Sequence, residues 1–510
     1  MKDSQSSYLA RVQRLFAEPR AGLALALLTS TLCVLTAFSL LRSAYSAFTW
    51  GKFDLFDYGI YTNMIWNCGR GRPFLFLVDQ SYLRIHLSFT LALLGPLFYL
   101  WDHPFLLSLV QWLMLIVGCG IICTAGRRHG LPPEAIAATA LLYLVYPFTQ
   151  TVILCEFHGV GLYLLLLPWV YYCLCFRPRA AWLPAVLMLG VREDAFLVLL
   201  PILLYFAVTK RSREIGTMAA VALLYGVLAV TCIYPLINGT SLFTARAGHL
   251  PGAVIAMPAG KALTRRLWAL LVVALPTVFL LWRGWVPILA FVSLPLITAM
   301  AGSSRFQYGL KMHYPAAVMV CLVLAVVESL ARSRKPEDTT TESKLRAHAL
   351  FLVVITLGIH LWRGYLPFGP KHKEEYGGPN PRALAMLEAT RHMPRAGLLM
   401  CSNRQAVFCA NRADIDVWEP RYPLPDHTRR EPDVALLKVS DLQKERFLPM
   451  LTNQTFGITY TNRSYLVLQR NESQSLHRSA PSATVPTGDT HGQGRQSTPS
   501  RDSRHRDVVR

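Results

Sequence analysis

Long apolar runs separated by short polar breaks dominate the chain, and this alternation sets its class before any motif is considered. The runs fall near residues 21–41, 105–126, 134–153, 159–175, 180–191, 195–209, 215–237, 267–282, 286–301, 315–331 and 347–364, eleven in all. The first, Ala21 to Leu41, carries no charge. At 1.5 Å per residue, a run of about 21 residues matches a hydrocarbon core of roughly 30 Å. It exceeds the roughly 7 to 15 apolar residues of a signal peptide, and no small-residue cleavage site follows, so it reads as an uncleaved anchor. Read as crossings, the runs predict a mostly α, polytopic transmembrane helix bundle of about 11 spans.

Basic residues orient the bundle. Lys2, Arg11, Arg14 and Arg20 precede the first run, which keeps residues 1–20 cytoplasmic, since Lys and Arg flank the inner ends of spans. Counting onward places Arg127-Arg128, Arg177 with Arg179, Lys210-Arg211-Ser212-Arg213 and Arg332 to Lys335 inside, and the C-terminus outside. The stretch Leu87 to Leu100 is left out of this count. A crossing there would move every later basic cluster outside, so it reads as a helix at the outer interface. Lys261, Arg265 and Arg266 stay outside in this scheme, as phosphate contacts or as a local failure of the count.

Composition narrows the class further. Hydrophobic residues make up 53% and charged residues 16%, against about a quarter charged in soluble domains. The net charge of +21 lies between apolar runs and in the tail rather than on a face, which excludes nucleic acid as the partner. No Gly-Lys-Ser or Gly-Lys-Thr phosphate loop and no Gly-rich dinucleotide fingerprint is present, so ATP-driven transport and nicotinamide chemistry lack support. Most of the 11 cysteines lie in apolar runs, where they act as small hydrophobes. Cys401 and Cys409 could pair in an oxidising compartment.

Unusual polar residues collect at the outer ends of the runs. Asp57 sits in the first outer loop, 44–104. Arg192-Glu193-Asp194 interrupts apolar sequence from Ala180 to Thr209, where each charge at mid-bilayer would cost about 2.5 to 3.5 kcal/mol. That cost predicts a short broken hairpin lining a water-filled cavity, or else an Arg-Glu pair stitching helices together. Glu156 and His158 stand two apart at another outer end, fit either to share a substrate or metal or to cap a helix. His86 follows Arg84, and Lys311 and His313 precede a further span.

Asp57-Tyr58-Gly59-Ile60-Tyr61, Ile65-Trp66-Asn67, Gly71-Arg72-Pro73-Phe74, His86, Glu156-Phe157-His158, Glu193-Asp194 and His313-Tyr314 occur in that order. With this spacing the chain resembles the predicted membrane proteins grouped as domain of unknown function 2079, over nearly all of residues 50 to 470. The family's usual Gln after Asp-Tyr-Gly-Ile stands here as Thr62 or Asn63, and its Asp before Phe-His as Glu156. The resemblance implies a branch of the GT-C glycosyltransferases, membrane enzymes that take sugars from polyprenyl phosphates and keep an essential acid in the first outer loop.

On that reading Asp57 is the expected general base, and Glu156 or Asp194 orients the acceptor or holds a divalent ion. Arg192, Arg84 and His86 balance the leaving phosphate, with His158, Glu193, Lys311 and His313 as further contacts. Expected partners are the lipid bilayer, a polyprenyl-phosphate sugar donor and an acceptor that the sequence does not name. If the Asp57, Glu156 and Asp194 carboxylates lay more than about 15 Å apart, beyond the spacing of cooperating carboxyls, a common site would be untenable. The alternatives are a secondary transporter, which internal repeats would favour although none is visible, and a non-catalytic envelope protein.

The expected organisation is a cytoplasmic N-terminus (1–20), a GT-C-like transmembrane domain (21–365), a small extracytoplasmic α/β domain (366–470) and a disordered tail (471–510). The expected location is the cell (inner) membrane, with multiple passes. In the α/β part, Arg382 to Leu387 reads as helix and Gly397 to Met400 and Tyr465 to Leu468 as strands. Asn411-Arg412 and Pro432-Asp433 read as structural positions. The tail is rich in Ser, Thr, Pro, Gly and Arg with no apolar period.

Overall fold

The computed structural model describes residues 19–53, 55–77, 80–240, 261–280, 284–302, 306–334, 339–417, 431–441, 452 and 455–471. The basic flank before Pro19, Asp54, Arg305, Lys335 and the tail from residue 472 lie outside the described residues.

The apolar runs fold into helices: α1 Pro19–Thr49, α2 Ile60–Gly69, α3 Leu106–Arg128, α4 Pro133–Val145, α5 Pro147–Leu154, α6 Tyr163–Phe176 and α7 Trp182–Leu189. They continue with α8 Ala195–Lys210, α9 Arg213–Leu228, α10 Lys261–Ala274, α11 Trp285–Ala301, α12 Ala316–Ser333, α13 Thr339–Arg363 and α14 Pro381–Arg391. α12 is the axis of the bundle. Every residue from Val318 to Leu330 is buried, the state of a helix that is apolar all round. α1 packs on α4, α4 on α13, α3 on α6, and α8 on α9 and α11.

The protein is a multi-pass membrane protein, but its helices do not reproduce eleven full crossings. Among the described residues seven helices are long and apolar enough to cross, or eight if the bent pair α4 and α5 counts as one span. α7 has 8 residues, α8 16 and α11 17. At 1.5 Å per residue, α7 and α8 reach only about 12 and 24 Å, short of a core of about 30 Å. Apolar runs read along the sequence do not register where a helix breaks. The α7–α8 pair still turns back at Arg192-Glu193-Asp194, so its two ends emerge on one side as two crossings would. Phe89–Leu100 is likewise too short to cross, as the basic-residue count required.

The basic clusters gather at one end of the bundle. There Arg128 lies over Tyr172, Lys210 Nζ donates to the Cys175 carbonyl at 2.6 Å and Arg334 donates to the His129 carbonyl at 3.2 Å. Arg266, one of the three exceptions to the count, donates to the Gly302 carbonyl at 3.4 Å and stacks over Tyr308, at the C-terminus of α11.

The C-terminal part carries a five-stranded sheet, order β4-β3-β5-β7-β6, built from β3 Leu399–Cys401, β4 Ile415–Val417, β5 Val434–Lys438, β6 Phe456–Thr461 and β7 Tyr465–Arg470. A separate short hairpin, β1 Leu75–Phe76 with β2 Gln80–Ser81, lies in the outer loop. β3 runs parallel to β4 and β5, and β7 antiparallel to β5 and β6. Cys401 and Cys409 are both free, and each thiol points at a backbone carbonyl, of Asp416 and Gln405 respectively. Arg412 donates to the carbonyls of Arg395, Ala396 and Gly397, and Asp433 accepts from the Leu398 N–H. Asn63 on α2 donates to the carbonyls of Ala410 and Arg412. Asp102 binds Arg395 and Asn411, so the sheet is pinned to the outer loop.

Candidate functional site

Asp57 is positioned by the way α1 ends. Gly51 adopts φ +65°, and the N–H groups of Gly51 and Lys52 donate back to Phe48 and Ala47. This Schellman closure needs a residue that tolerates the left-handed region, which glycine does. The chain then turns so that Phe53 packs on Phe48 and Tyr58, and a π-helical turn, Leu55–Gly59, leads into α2. Tyr58 is fully buried, donates to the Pro104 carbonyl at 2.6 Å and accepts from Ser108. Asp57, its side chain 41% exposed, is thus held next to a buried anchor.

Glu156 and His158 sit where α5 and α6 are interrupted. Tyr146 and Pro147 bend α4 from α5 by 45°, since proline cannot continue the hydrogen-bond ladder. After Leu154 the chain is extended to His158, then closes a 3₁₀ turn, Gly159–Leu162, before α6. Gln111 of α3 spans this break, donating to the Val152 carbonyl at 2.7 Å and accepting from the His158 N–H at 3.4 Å. A Cβ on Gly161 would approach Gln111 Oε1 to 2.6 Å, so a larger residue there would displace the Gln111 amide from this break.

The break brings three groups together. Acceptor atoms of Asp57, Glu156 and His158 lie within 4.8 Å of one another, and His158 Nε2 is 4.0 Å from Asp57 Oδ1. The His313 ring packs on His158 with centroids 3.5 Å apart, and Cys155, His158 and His313 form a second such group. Tyr61 meets the His158 ring edge-on at 5.6 Å. His158 Nε2 and His313 Nδ1 are buried without a hydrogen-bond partner among the described residues. Two carboxylates beside the His158 ring form the donor set of a divalent-cation site, and His313 adjoins it through the group it shares with His158 and Cys155.

The Arg192 triplet divides its tasks. Arg192 Nη2 pairs with Asp194 at 2.7 Å, and its Nε lies 4.0 Å from Glu193 Oε1 and makes no hydrogen bond among the described residues. Burial opposes the guanidinium charge, but Asp194 and Glu193 outweigh it and raise the Arg192 pKa above its ordinary value. Glu193, wholly buried, accepts from the Leu87 N–H at 3.1 Å and meets His86 Nδ1 at 3.0 Å. It anchors the interfacial segment, whose Thr90 also bonds the Leu187 and Gly190 carbonyls at the end of α7. Stitching of helices, one of the two readings of this triplet, therefore describes Glu193.

Not every sequence candidate converges. Asp194 turns to Arg192. Arg84 is exposed, and the contact recorded for it is its carbonyl accepting from Tyr234 at 3.4 Å. Lys311 is exposed as well. Tyr58 and Tyr61, which the sequence placed in the family motif without a role, complete the surroundings together with Gln111 and Cys155, which escaped the sequence reading. A lone glutamine inside the uncharged run 105–126 was the signal for Gln111.

Burial, then His313, His86 and Arg192, hold His158 well below the ordinary histidine value, and burial with Arg192 and His86 pushes His313 down to about 3. Both rings are therefore neutral in the folded protein near neutral pH. Unfolded histidine titrates near 6.5, so below that pH the unfolded chain takes up protons that the folded chain refuses. This contribution to stability is complete above about 6.5 and is lost as pH falls toward about 3, at up to about 1.4 kcal/mol per unit for a buried ring such as His158. In thermal melts of the detergent-solubilised protein in chelator, we expect the midpoint to fall between pH 7 and 5. His158→Gln should flatten that fall.

Comparison with known proteins sets this site in context. Two crystal structures of ArnT from Cupriavidus metallidurans are similar to the chain. The apo form has a TM-score of 0.49 and 11% identity, over 89% of this chain and 99% of that one. The form bound to undecaprenyl phosphate has a TM-score of 0.49 and 10% identity, over 87% and 97%. No curated protein matches the chain. The sequence model of the family described as predicted membrane protein (DUF2079) matches residues 53–455, which spans Asp57, Glu156, His158, Arg192 and His313, and the chain belongs to that family.

Proposed function

We propose that the protein is a membrane glycosyltransferase that moves a sugar from a polyprenyl-phosphate carrier to an acceptor hydroxyl on the extracytoplasmic side of the cell membrane. The observation that carries this reading is the meeting of Asp57, Glu156 and His158 within 4.8 Å. The cluster lies at helix ends rather than at mid-bilayer, where transporters keep their substrate sites, and the basic clusters lie at the opposite end. Under the positive-inside rule that end is cytoplasmic and the Asp57 end faces out.

Asp57, the more exposed of the two clustered carboxylates, takes the acceptor proton as the acceptor oxygen bonds to the anomeric carbon. The bond from that carbon to the phosphate oxygen breaks, and the polyprenyl phosphate leaves with the electron pair. Arg192, charged and with no hydrogen bond at its Nε among the described residues, meets that phosphate in a site shielded from water, where a positioned cation stabilises most. Glu156, 6% exposed, orients the acceptor. Asp57, Glu156 and His158 would hold a divalent cation, which when bound offsets the phosphate charge.

Binding of a polyprenyl phosphate to the purified protein tests the division of roles. Asp57→Asn should leave its Kd within about twofold, whereas Arg192→Gln should raise it tenfold or more, about 1.4 kcal/mol. Both variants should elute from size exclusion as the parent does. Unchanged binding by a folded Arg192→Gln protein would remove that residue from the phosphate site.

A further inference from the structure

A second group of donor atoms lies at the other end of the helices that carry the Asp57 site. His129 follows the last turn of α3, Cys175 stands near the end of α6 and Glu328 lies toward the end of α12. Glu328 is 8% exposed, while His129 and Cys175 are half-buried and reachable from solvent. The His129 ring nitrogen, the Cys175 sulfur and a Glu328 carboxylate oxygen lie within 4.8 Å of one another. Tyr171 donates to Glu328 Oε2 at 3.0 Å and meets His129 Nε2 at 3.2 Å. Tyr205 donates to Glu328 Oε1 at 2.9 Å and accepts from Arg332 at 3.0 Å.

We propose that His129, Cys175 and Glu328 bind a zinc-class divalent ion that ties together the ends of α3, α6 and α12. One nitrogen, one sulfur and one oxygen donor suit a borderline ion such as Zn²⁺ or Co²⁺, not Mg²⁺ or Ca²⁺. Charge also balances. Cys175 gives its proton to solvent, and thiolate and carboxylate together neutralise the ion, whereas Arg332 now reaches Glu328 only through Tyr205. The two tyrosine hydroxyls already orient the carboxylate, as outer partners do in metal sites. Bonds of about 2.0 to 2.3 Å bring tetrahedral donors to roughly 3.3 to 3.8 Å apart. The three groups therefore close by no more than about 1.5 Å, and Tyr171 gives up His129 while keeping Glu328.

Titration of the purified full chain in detergent with cobalt(II) chloride tests this, because a thiolate ligand adds an intense near-ultraviolet charge-transfer band. The Asp57 end offers its own thiol beside imidazoles, Cys155, so the two ends are separated by mutation. The band should persist in Cys155→Ser, be lost in Cys175→Ser, form with at least tenfold weaker affinity in His129→Ala, and vanish on addition of zinc. Loss of the band in Cys155→Ser with no change in Cys175→Ser would overturn the proposal, as would a parent protein that shows no band. Should the Cys175 and His129 variants fail to fold, zinc-edge X-ray absorption on folded Cys155→Ser protein decides. A sulfur neighbour at about 2.3 Å supports the site, and a shell of nitrogen and oxygen alone overturns it.

Discussion

Asp57→Asn should lower glycosyl transfer by about 10²- to 10⁴-fold, the range associated with loss of a general base. Asparagine keeps the size and much of the hydrogen bonding of the carboxylate but accepts no proton. Folding should hardly change, because Phe53 and Tyr58 hold this turn through burial and the Pro104 hydrogen bond, and neither depends on the Asp57 charge. Asp57→Glu tests placement rather than charge: its extra methylene moves the base by about 1 Å, and a misplacement of that size can cost on the order of 10²-fold. The measurement is transfer from a polyprenyl-phosphate sugar in proteoliposomes, beside a thermal midpoint for each variant. A folded Asp57→Asn protein with undiminished transfer would dismiss Asp57 as the base. If transfer and donor binding fell together, the carboxylate would instead be serving donor binding.

The candidate site was legible in the sequence wherever a charge stood in apolar surroundings. Glu156, His158 and the Arg192 triplet each interrupt hydrophobic sequence, and an interruption of that kind must find water, a partner or a ligand; Asp57 was marked instead by its place in the first outer loop and by the family resemblance. Convergence was not legible, because it depends on where helices bend. The 45° bend between α4 and α5 and the glutamine that bridges the following break bring Glu156 to Asp57, and neither leaves a periodic trace. For the same reason hydropathy counted α7 and α8 as two spans when both are short helices meeting at Arg192-Glu193-Asp194. Arg84 and Lys311 were plausible on charge alone, yet exposure leaves them outside the buried cluster. Glu328 went unmarked inside an otherwise apolar run, although a buried carboxylate held by two tyrosines is as costly to place as the outer ones.

Among the described glycines, the nearest approach of a would-be Cβ to a backbone atom is at Gly118, in the middle of α3. A Cβ there would fall inside the van der Waals contact of the Leu164 carbonyl oxygen and 3.1 Å from the Tyr143 hydroxyl, which itself donates to Leu164 at 2.6 Å. Small residues let helix backbones approach this closely in membranes; α3 carries Gln111, and α6 follows the turn that starts at His158. Gly120, two residues on, has nothing within 4 Å of its would-be Cβ. Gly→Ala in a helix interior ordinarily stabilises by about 1 kcal/mol, so Gly120→Ala should be neutral or stabilising. Gly118→Ala must instead push α3 from α6, at the roughly 1 to 3 kcal/mol typical of overpacking, with about 1 kcal/mol more if the Tyr143 hydrogen bond breaks. The two substitutions should therefore shift the thermal midpoint in opposite directions, and Gly118→Val should leave little folded protein to purify. A Gly118→Ala protein as stable as Gly120→Ala would show that α3 and α6 do not meet at this backbone contact.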